Sequence, residues 1–337
     1  MADTLVWITE PFPDPSLERL RAVSSELKIT AHPLRADDDP PEELLSQVEV
    51  LSTFEYLPDP EDTPHLKWVH FLSAGIDQHL DHPLLQSEVK ITTSSGIAAS
   101  QMAEAALAFS LALARRLPRL LNDKASKTWP EDRYARDQPR ELRDSTVGVV
   151  GYGSVGREVA RLFHNFGTTV LATKRDLKQL RDPGYMPEGL GDPDAELPKR
   201  LYPPEAVASM ASLCEFLVVS VPLTAHTRGM IDVQVFEAMK PSAFLIDISR
   251  GGVTNHGDLI SALNEKRLAG AALDVFPIEP LPESSPLWDM PNVLISPHIG
   301  GYSKSYFERA TTLLAENLRR YVSELPLLNQ FDPQHGY

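Results

Sequence analysis

The sequence predicts an α/β protein built on two doubly wound parallel sheets. Three observations carry that expectation. Short apolar runs alternate with stretches of helical spacing along residues 1–99 and again from residue 146 onward, and strands that alternate with helices form parallel sheets covered on both faces. The chain has 337 residues, the length of two ordinary domains. One predicted strand runs into a glycine-rich turn that opens a helix, the opening unit of a nucleotide-binding sheet.

Composition narrows the function classes. A hydrophobic fraction of 42% supplies real cores, and the formal net charge of −15 repels nucleic acid and anionic membranes. Any anion site must therefore be locally positive. The single cysteine, Cys214, cannot form an internal disulfide and precedes an apolar run, which fits a small buried residue in a reducing compartment. The first ten residues hold Asp3 and Glu10 and lack the basic start and apolar stretch of an export signal. The longest apolar segment, 105–114, falls short of the roughly 20 residues a bilayer span needs. The expected location is cytoplasmic, with no membrane and no nucleic-acid partner.

In chain order, strands are expected at 5–8, 48–53, 68–72 and 89–93, with Leu17, Leu20, Val23 and Leu27 at helical spacing after the first. From about 100 to 121 the chain is apolar nearly all round, a helix buried on most sides. Residues 122–145 are polar and read as an excursion or arm. Further strands are expected at 146–150, 169–173, 216–221, 243–248, 270–275 and 293–296. Residues 176–204 interrupt the pattern with six prolines and three glycines, a long surface loop of the sort that is uncommon unless functional. An amphipathic helix from about 303 to 324 closes the chain.

The glycine-rich turn is Gly151-Tyr152-Gly153-Ser154-Val155-Gly156. Gly151 permits the tight turn, Gly153 lets the backbone approach a pyrophosphate, and Gly156 lets helix and strand pack closely. The helix start at Ser154 and Val155 offers amides and a positive dipole end to phosphate. The next strand ends Thr173-Lys174-Arg175, where an NAD enzyme usually carries a carboxylate for the ribose 2′-hydroxyl. Lys174 and Arg175 would instead pair with a 2′-phosphate, with Thr173 as a further donor, so NADP(H) is favoured over NAD(H). Two solvated cations at a strand end are the plainer alternative.

Further motifs occur in a specific order: Leu72-Ser73-Ala74-Gly75-Ile76-Asp77, then the turn, Val221-Pro222-Leu223-Thr224-Ala225-His226-Thr227-Arg228-Gly229, Ile248-Ser249-Arg250-Gly251-Gly252, Ala272-Leu273-Asp274-Val275-Phe276-Pro277-Ile278-Glu279-Pro280, and Ser296-Pro297-His298-Ile299-Gly300-Gly301. From about residue 50 to 310 the chain resembles the D-isomer-specific 2-hydroxyacid dehydrogenase family, especially its glyoxylate/hydroxypyruvate reductase branch. The resemblance implies hydride transfer between NADP(H) and a small 2-keto or D-2-hydroxy acid. It implies Arg250 as the cation that grips the substrate, His298 as the proton donor and Glu279 as the partner that orients the ring. Ser73, Ala74 and Gly75 resemble the cradle for the substrate carboxylate, to which Arg250 and His298 also belong. Val221, Pro222, Thr227, Ile248, Ser249, Asp274, His298 and Gly301 fall where the family lines the dinucleotide, Asp274 on the nicotinamide side. No metal is needed, because Arg250 and the proton donor handle the carbonyl.

The resemblance also implies the domain picture: a flavodoxin-like substrate domain, residues 1–99 and 303–337, split by an inserted Rossmann nucleotide domain, residues 100–302, in a homodimer with the arm as a candidate contact. Some positions depart from the pattern. Ser220 stands where many members have His, Asn255-His256 replaces a frequent Asp-Glu pair, and Ala105 follows Glu104 where members often have His. Two alternatives stay open: an NAD(H)-sensing binding protein of the corepressor type, and a phosphite-type dehydrogenase of the same fold.

Overall fold

The computed structural model describes residues 3–34, 38–136 and 138–333. The chain divides into two compact units, Met1–Ala98 with Ser303–Tyr337, and Ala99–Tyr302.

The first unit holds β1 (Thr4–Ile8), α1 (Asp14–Arg21), β2 (Leu27–Ala31), α2 (Glu42–Leu45), β3 (Val50–Thr53), β4 (Trp68–Phe71) and β5 (Lys90–Thr93). They form a five-stranded parallel sheet in the order β2-β1-β3-β4-β5, the flavodoxin-like order. β3 and β4 are buried along their whole length because both sheet faces are covered. The helical spacing expected through Leu27 ends early: α1 stops at Arg21, and Leu27 opens β2 with its side chain in the core. Val23 and Leu27 keep the spacing by coincidence, and pairing of β2 along β1 overrides it. The chain's last helix, Tyr306–Val322, packs on α1, with the Phe12 and Phe307 rings 5.2 Å apart.

Inside this sheet His70 is fully buried. Its Nδ1 lies 2.8 Å from Thr92 Oγ1, which also accepts from Trp68 Nε1 at 2.8 Å, and its Nε2 lies 3.2 Å from Ser94 Oγ. Burial pushes the imidazole down to about 3, so it is neutral in the folded protein.

The second unit holds α3 (Ala99–Ala114), α4 (Leu117–Ala125), α5 (Arg133–Arg136), β6 (Thr146–Val150), α6 (Ser154–Asn165), β7 (Thr169–Thr173), β8 (Arg200–Tyr202), α7 (Val207–Ala211), β9 (Phe216–Val219), α8 (Val233–Ala238), β10 (Phe244–Asp247), α9 (His256–Asn264), β11 (Gly270–Leu273) and β12 (Val293–Ile295). Its sheet is parallel throughout, in the order β12-β11-β10-β9-β6-β7-β8. The order reverses between β6 and β9, the switch point where doubly wound sheets bind dinucleotides. α3 and α6 help to cover one face, and α7, α8 and α9 the other. Cys214 lies inside the second of these cores, and burial pushes its thiol up to about 12, so it is inert.

Two expectations are corrected here. The helix expected over 100–121 is two helices: Arg116 turns left-handed at φ 58° and Pro118 begins the next. A proline cannot donate to the carbonyl four residues back, and Arg140 N takes that carbonyl, Ala114 O, at 2.9 Å. The 176–204 stretch is not loop throughout, because Arg200–Tyr202 pairs with β7 and adds a seventh strand. Asn255 caps α9 by accepting from Asp258 N at 3.2 Å, a local reason for the residue found there.

Candidate active site

Two of the three glycines in the turn after β6 leave no room for anything larger. Gly151 has φ +97°, and a Cβ there would stand 2.6 Å from Val221 Cγ1. A Cβ on Gly156 would stand 1.9 Å from Gly151 O, so helix and strand touch backbone to backbone. Gly153 differs: a Cβ there would meet only Asp182 Oδ2, at 3.9 Å. The space above Gly153 is open, and no side chain caps α6. An open floor of backbone at a helix N-terminus fits a diphosphate, so the residues suit a dinucleotide.

Neighbouring positions brace this turn. Thr173 is buried, and its Oγ1 accepts from Gly151 N at 3.0 Å, so its hydroxyl holds the turn in shape. Lys174 is half-buried at the end of β7, and Arg175 is exposed. Burial lowers the Lys174 ammonium, Arg157 lowers it further, and Asp182 and Asp176 draw it back up. Val221 and Pro222 follow β9, where Thr227 Oγ1 donates to Pro222 O at 2.6 Å and fixes the loop. Ser220 donates from Oγ to Gly151 O at 3.2 Å, tying β9 to the glycine turn.

The other end of the sheet gathers Arg250, Glu279 and His298. Arg250 follows β10, and its Nη1 donates to Ser249 O at 3.0 Å. The turn at Gly251 lies against another chain segment so closely that a Cβ would be 2.0 Å from Phe276 C. Phe276 N in turn donates to Glu279 Oε1 at 2.8 Å. Glu279 Oε2 lies 2.8 Å from His298 Nδ1. An ionised carboxylate only accepts, so Nδ1 carries a proton and Nε2 is left for a reacting group. His298 and Glu279 are both partly exposed, which leaves them open to a ligand. His298 itself has φ 54°, a left-handed backbone that costs a residue with a Cβ and persists only where surroundings enforce it.

One buried carboxylate, Asp274, holds that loop, and a second, Asp247, holds the turn that carries Arg250. Asp274, fully buried at the end of β11, accepts from Ser296 Oγ at 2.5 Å, Ile299 N at 3.0 Å and Gly300 N at 2.9 Å. These amides follow His298 directly, so Asp274 sets the loop that presents the imidazole. Gly301 O accepts from Gln101 Nε2 at 3.0 Å and steadies the far side of that loop. Asp247, fully buried at the end of β10, was not singled out from sequence. It accepts from Ser249 N at 2.9 Å, Ser249 Oγ at 2.5 Å and Thr254 Oγ1 at 2.6 Å, bracketing Ile248 and Arg250. Burial raises its carboxyl, and the bonds from Ser249 and Thr254 pull it back down. A charged residue closing the apolar strand Phe244-Leu245-Ile246 was the available signal.

Ser73, Ala74 and Gly75 lie in the first unit just after β4, in a turn where Ser73 Oγ donates to Gly75 O at 2.9 Å. Among the described residues no group of three or more His, Cys, Asp or Glu could hold a metal ion, and no helix is long and apolar enough to cross a membrane.

Comparison with known proteins places the chain. Residues 107–300 match the family model of the D-isomer specific 2-hydroxyacid dehydrogenase, NAD binding domain. A glyoxylate reductase/hydroxypyruvate reductase of Mus musculus is 34% identical over 254 residues, 75% of this chain and 73% of that protein. A glyoxylate reductase of Thermofilum pendens is 30% identical over 332 residues, 94% of this chain and 91% of that protein. Among solved structures, a D-isomer specific 2-hydroxyacid dehydrogenase from Xanthobacter autotrophicus in complex with NADPH and MES matches with a TM-score of 0.80 and 28% identity over 100% of both chains. An NADPH-dependent glyoxylate/hydroxypyruvate reductase from Sinorhizobium meliloti, in complex with NADP and sulfate, matches with a TM-score of 0.77 and 26% identity over 99% of this chain and 100% of that one. The two parallel sheets, the glycine turn and these matches agree: the chain belongs to the D-isomer specific 2-hydroxyacid dehydrogenase family, oxidoreductases that work with a nicotinamide cofactor.

Proposed function

We propose that this protein reduces a small 2-keto acid to the D-2-hydroxy acid, with glyoxylate or hydroxypyruvate as first candidates and NADPH preferred over NADH. The observation that carries the reading is the Glu279–His298 pair at 2.8 Å, its imidazole on the loop that Asp274 holds and with Nε2 left for a ligand. His298 donates its Nε2 proton to the carbonyl oxygen as negative charge develops there. Glu279 accepts from Nδ1–H throughout, keeps the ring oriented and stabilises the imidazolium form that donates. Arg250 grips the substrate carboxylate with its planar fork and polarises the carbonyl. Ser73, Ala74 and Gly75 are offered as a further carboxylate-binding turn. A bound reduced nicotinamide supplies the hydride; proton and charge handling fall to the chain's own side chains.

Gly151, Gly153, Ser154, Val155 and Gly156 would hold the diphosphate. The cofactor preference is supported by Lys174 and Arg175 at the end of β7, where a half-buried ammonium gains from pairing with a 2′-phosphate. It is supported too by the NADPH-dependent enzyme and the NADPH complex among the structural relatives. An exposed apolar run, Leu117, Leu120, Leu121, Trp129 and Tyr134, supports a homodimer.

The test follows absorbance at the reduced-nicotinamide band, with NADPH and NADH in parallel against a panel of 2-keto acids. Turnover of glyoxylate or hydroxypyruvate with the lower KM for NADPH is the expected result. Turnover with NADH alone discards the 2′-phosphate assignment, and no turnover with any keto acid despite cofactor binding overturns the reductase reading.

A further inference from the structure

The segment between Lys174 and Arg200 is fastened to the glycine turn by side chains that the reaction does not use. Arg157, next after Gly156, is fully buried. Its guanidinium donates to the carbonyls of Leu180 and Asp192, and to Pro193 O at 3.3 Å, and lies 4.9 Å over the Tyr152 ring. Tyr152 Oη donates to Asp192 Oδ2 at 2.6 Å, and the Asp192 carboxylate also accepts from the amides of Glu196 and Leu197, both at 3.0 Å. Glu158, also buried, accepts from Gly191 N at 2.7 Å. Tyr152 lies in the turn itself, and Arg157 and Glu158 in the first turns of α6. The long loop is therefore positioned by the phosphate cradle itself.

What this anchoring delivers is Asp182. Its Oδ1 accepts from Gly184 N at 3.0 Å. Its Oδ2 lies 3.6 Å from Arg157 Nε, a buried nitrogen with no hydrogen-bond partner, and 3.9 Å from where a Cβ would stand on Gly153. The side chain is a quarter exposed, so a ligand can reach it. Its charge also acts on Lys174. NAD enzymes place a carboxylate at the end of the second strand to accept from the ribose hydroxyls. Here Lys174 follows β7, and the loop supplies a carboxylate whose charge reaches it.

We propose that Asp182 is a second reader of the adenosine ribose, opposed to Lys174 and Arg175: it accepts from the ribose hydroxyls of NADH and disfavours a 2′-phosphate. The proposal rests on the reading that this turn holds the dinucleotide. An ionised carboxylate forms strong hydrogen bonds with hydroxyls and repels a group that carries more than one negative charge. The loop thus tempers the preference set by the strand end and keeps NADH usable.

The test is D182N, which keeps the acceptor for Gly184 N and the shape while removing the charge. Dissociation constants for NADPH and NADH are measured by fluorescence of the bound reduced nucleotide, for wild type and variant, with melting curves to establish folding. The expected result is NADH weakened about tenfold, the loss of one charge-assisted hydrogen bond, and NADPH unchanged or tighter. A ratio of the two constants that does not move overturns the proposal, and so does equal tightening of both, which would make Asp182 a mere obstacle to the diphosphate. Should D182N fold poorly, D182S also removes the charge and keeps an acceptor for Gly184 N; the ratio should shift in the same direction there, and an unmoved ratio counts against the proposal equally. Wild type that binds neither nucleotide overturns the dinucleotide reading and the proposal with it.

Discussion

Two sets of loops leave the C-terminal edge of the seven-stranded sheet, and the side chains that do most of the holding are of opposite charge. The loops after β10 and β12 carry Arg250 and His298, and buried carboxylates hold them by accepting from their amides and hydroxyls. The loop after β7 carries Asp182, and a buried guanidinium does most of the holding by donating to its carbonyls, with Tyr152 donating to Asp192 and Glu158 accepting one amide beside it. The difference follows from geometry. Short turns at strand ends direct several amides inward toward one point, and a carboxylate can accept them all. A long proline-rich segment lacks amide hydrogens at its prolines and has carbonyls to spare, and a five-donor guanidinium is the side chain that satisfies several at once. The acceptor-held loops carry the side chains proposed to react, and the loop held chiefly by Arg157 carries a candidate recognition residue.

The largest expected effect lies on the acceptor-held side. His298→Ala should lower kcat by about 10²–10⁴-fold, the usual worth of a positioned acid, with dinucleotide binding nearly unchanged. Asp274→Asn should lower kcat in the same direction without touching the proton donor, because one acceptor facing the Ile299 or Gly300 amide becomes a donor. Stopped-flow single turnovers would measure both. Full activity in D274N would mean that the loop holds its shape without the carboxylate.

An intermediate effect is expected from Arg157→Met, which keeps the buried aliphatic volume and removes the donors. Three carbonyls and the Asp182 carboxylate lose their partner, at a cost of about 3 kcal/mol. Residues 177–198 should become the first site of limited proteolysis, and the NADPH-to-NADH ratio should change while kcat with saturating cofactor is largely retained. Loss of kcat with an intact ratio would show that the two loops are not separable.

The smallest effect concerns a third way of holding a polar group, with no charge at all. The folded pKa of His70, about 3, lies below its unfolded value near 6.5. Its contribution is fully present above pH 6.5 and is lost as pH falls from 6.5 toward 3. The stability advantage of wild type over His70→Asn should shrink by about 1.4 kcal/mol per pH unit below 6.5. Urea midpoints across pH 4–8 would measure it, and parallel curves for the two proteins would show that His70 titrates in the fold as it does in the unfolded chain.

By itself the sequence determined the α/β class, the parallel sheets and the glycine turn, because these rest on local periodicity and on residues adjacent in the chain. The motifs around Arg250, Glu279 and His298 were legible for the same reason: each is a short run at a strand end. Only the tertiary structure decided that Leu27 joins a strand, since strand pairing along β1 outweighs helical spacing. Only it decided that Asp247 and Asp274 hold the two loops, that Thr173 braces Gly151, and that Arg157 carries Asp182 to the cradle. A buried polar group takes its partners from wherever the fold brings donors and acceptors together, often far along the chain, and the cost of leaving it unpaired is what fixes those loops in place.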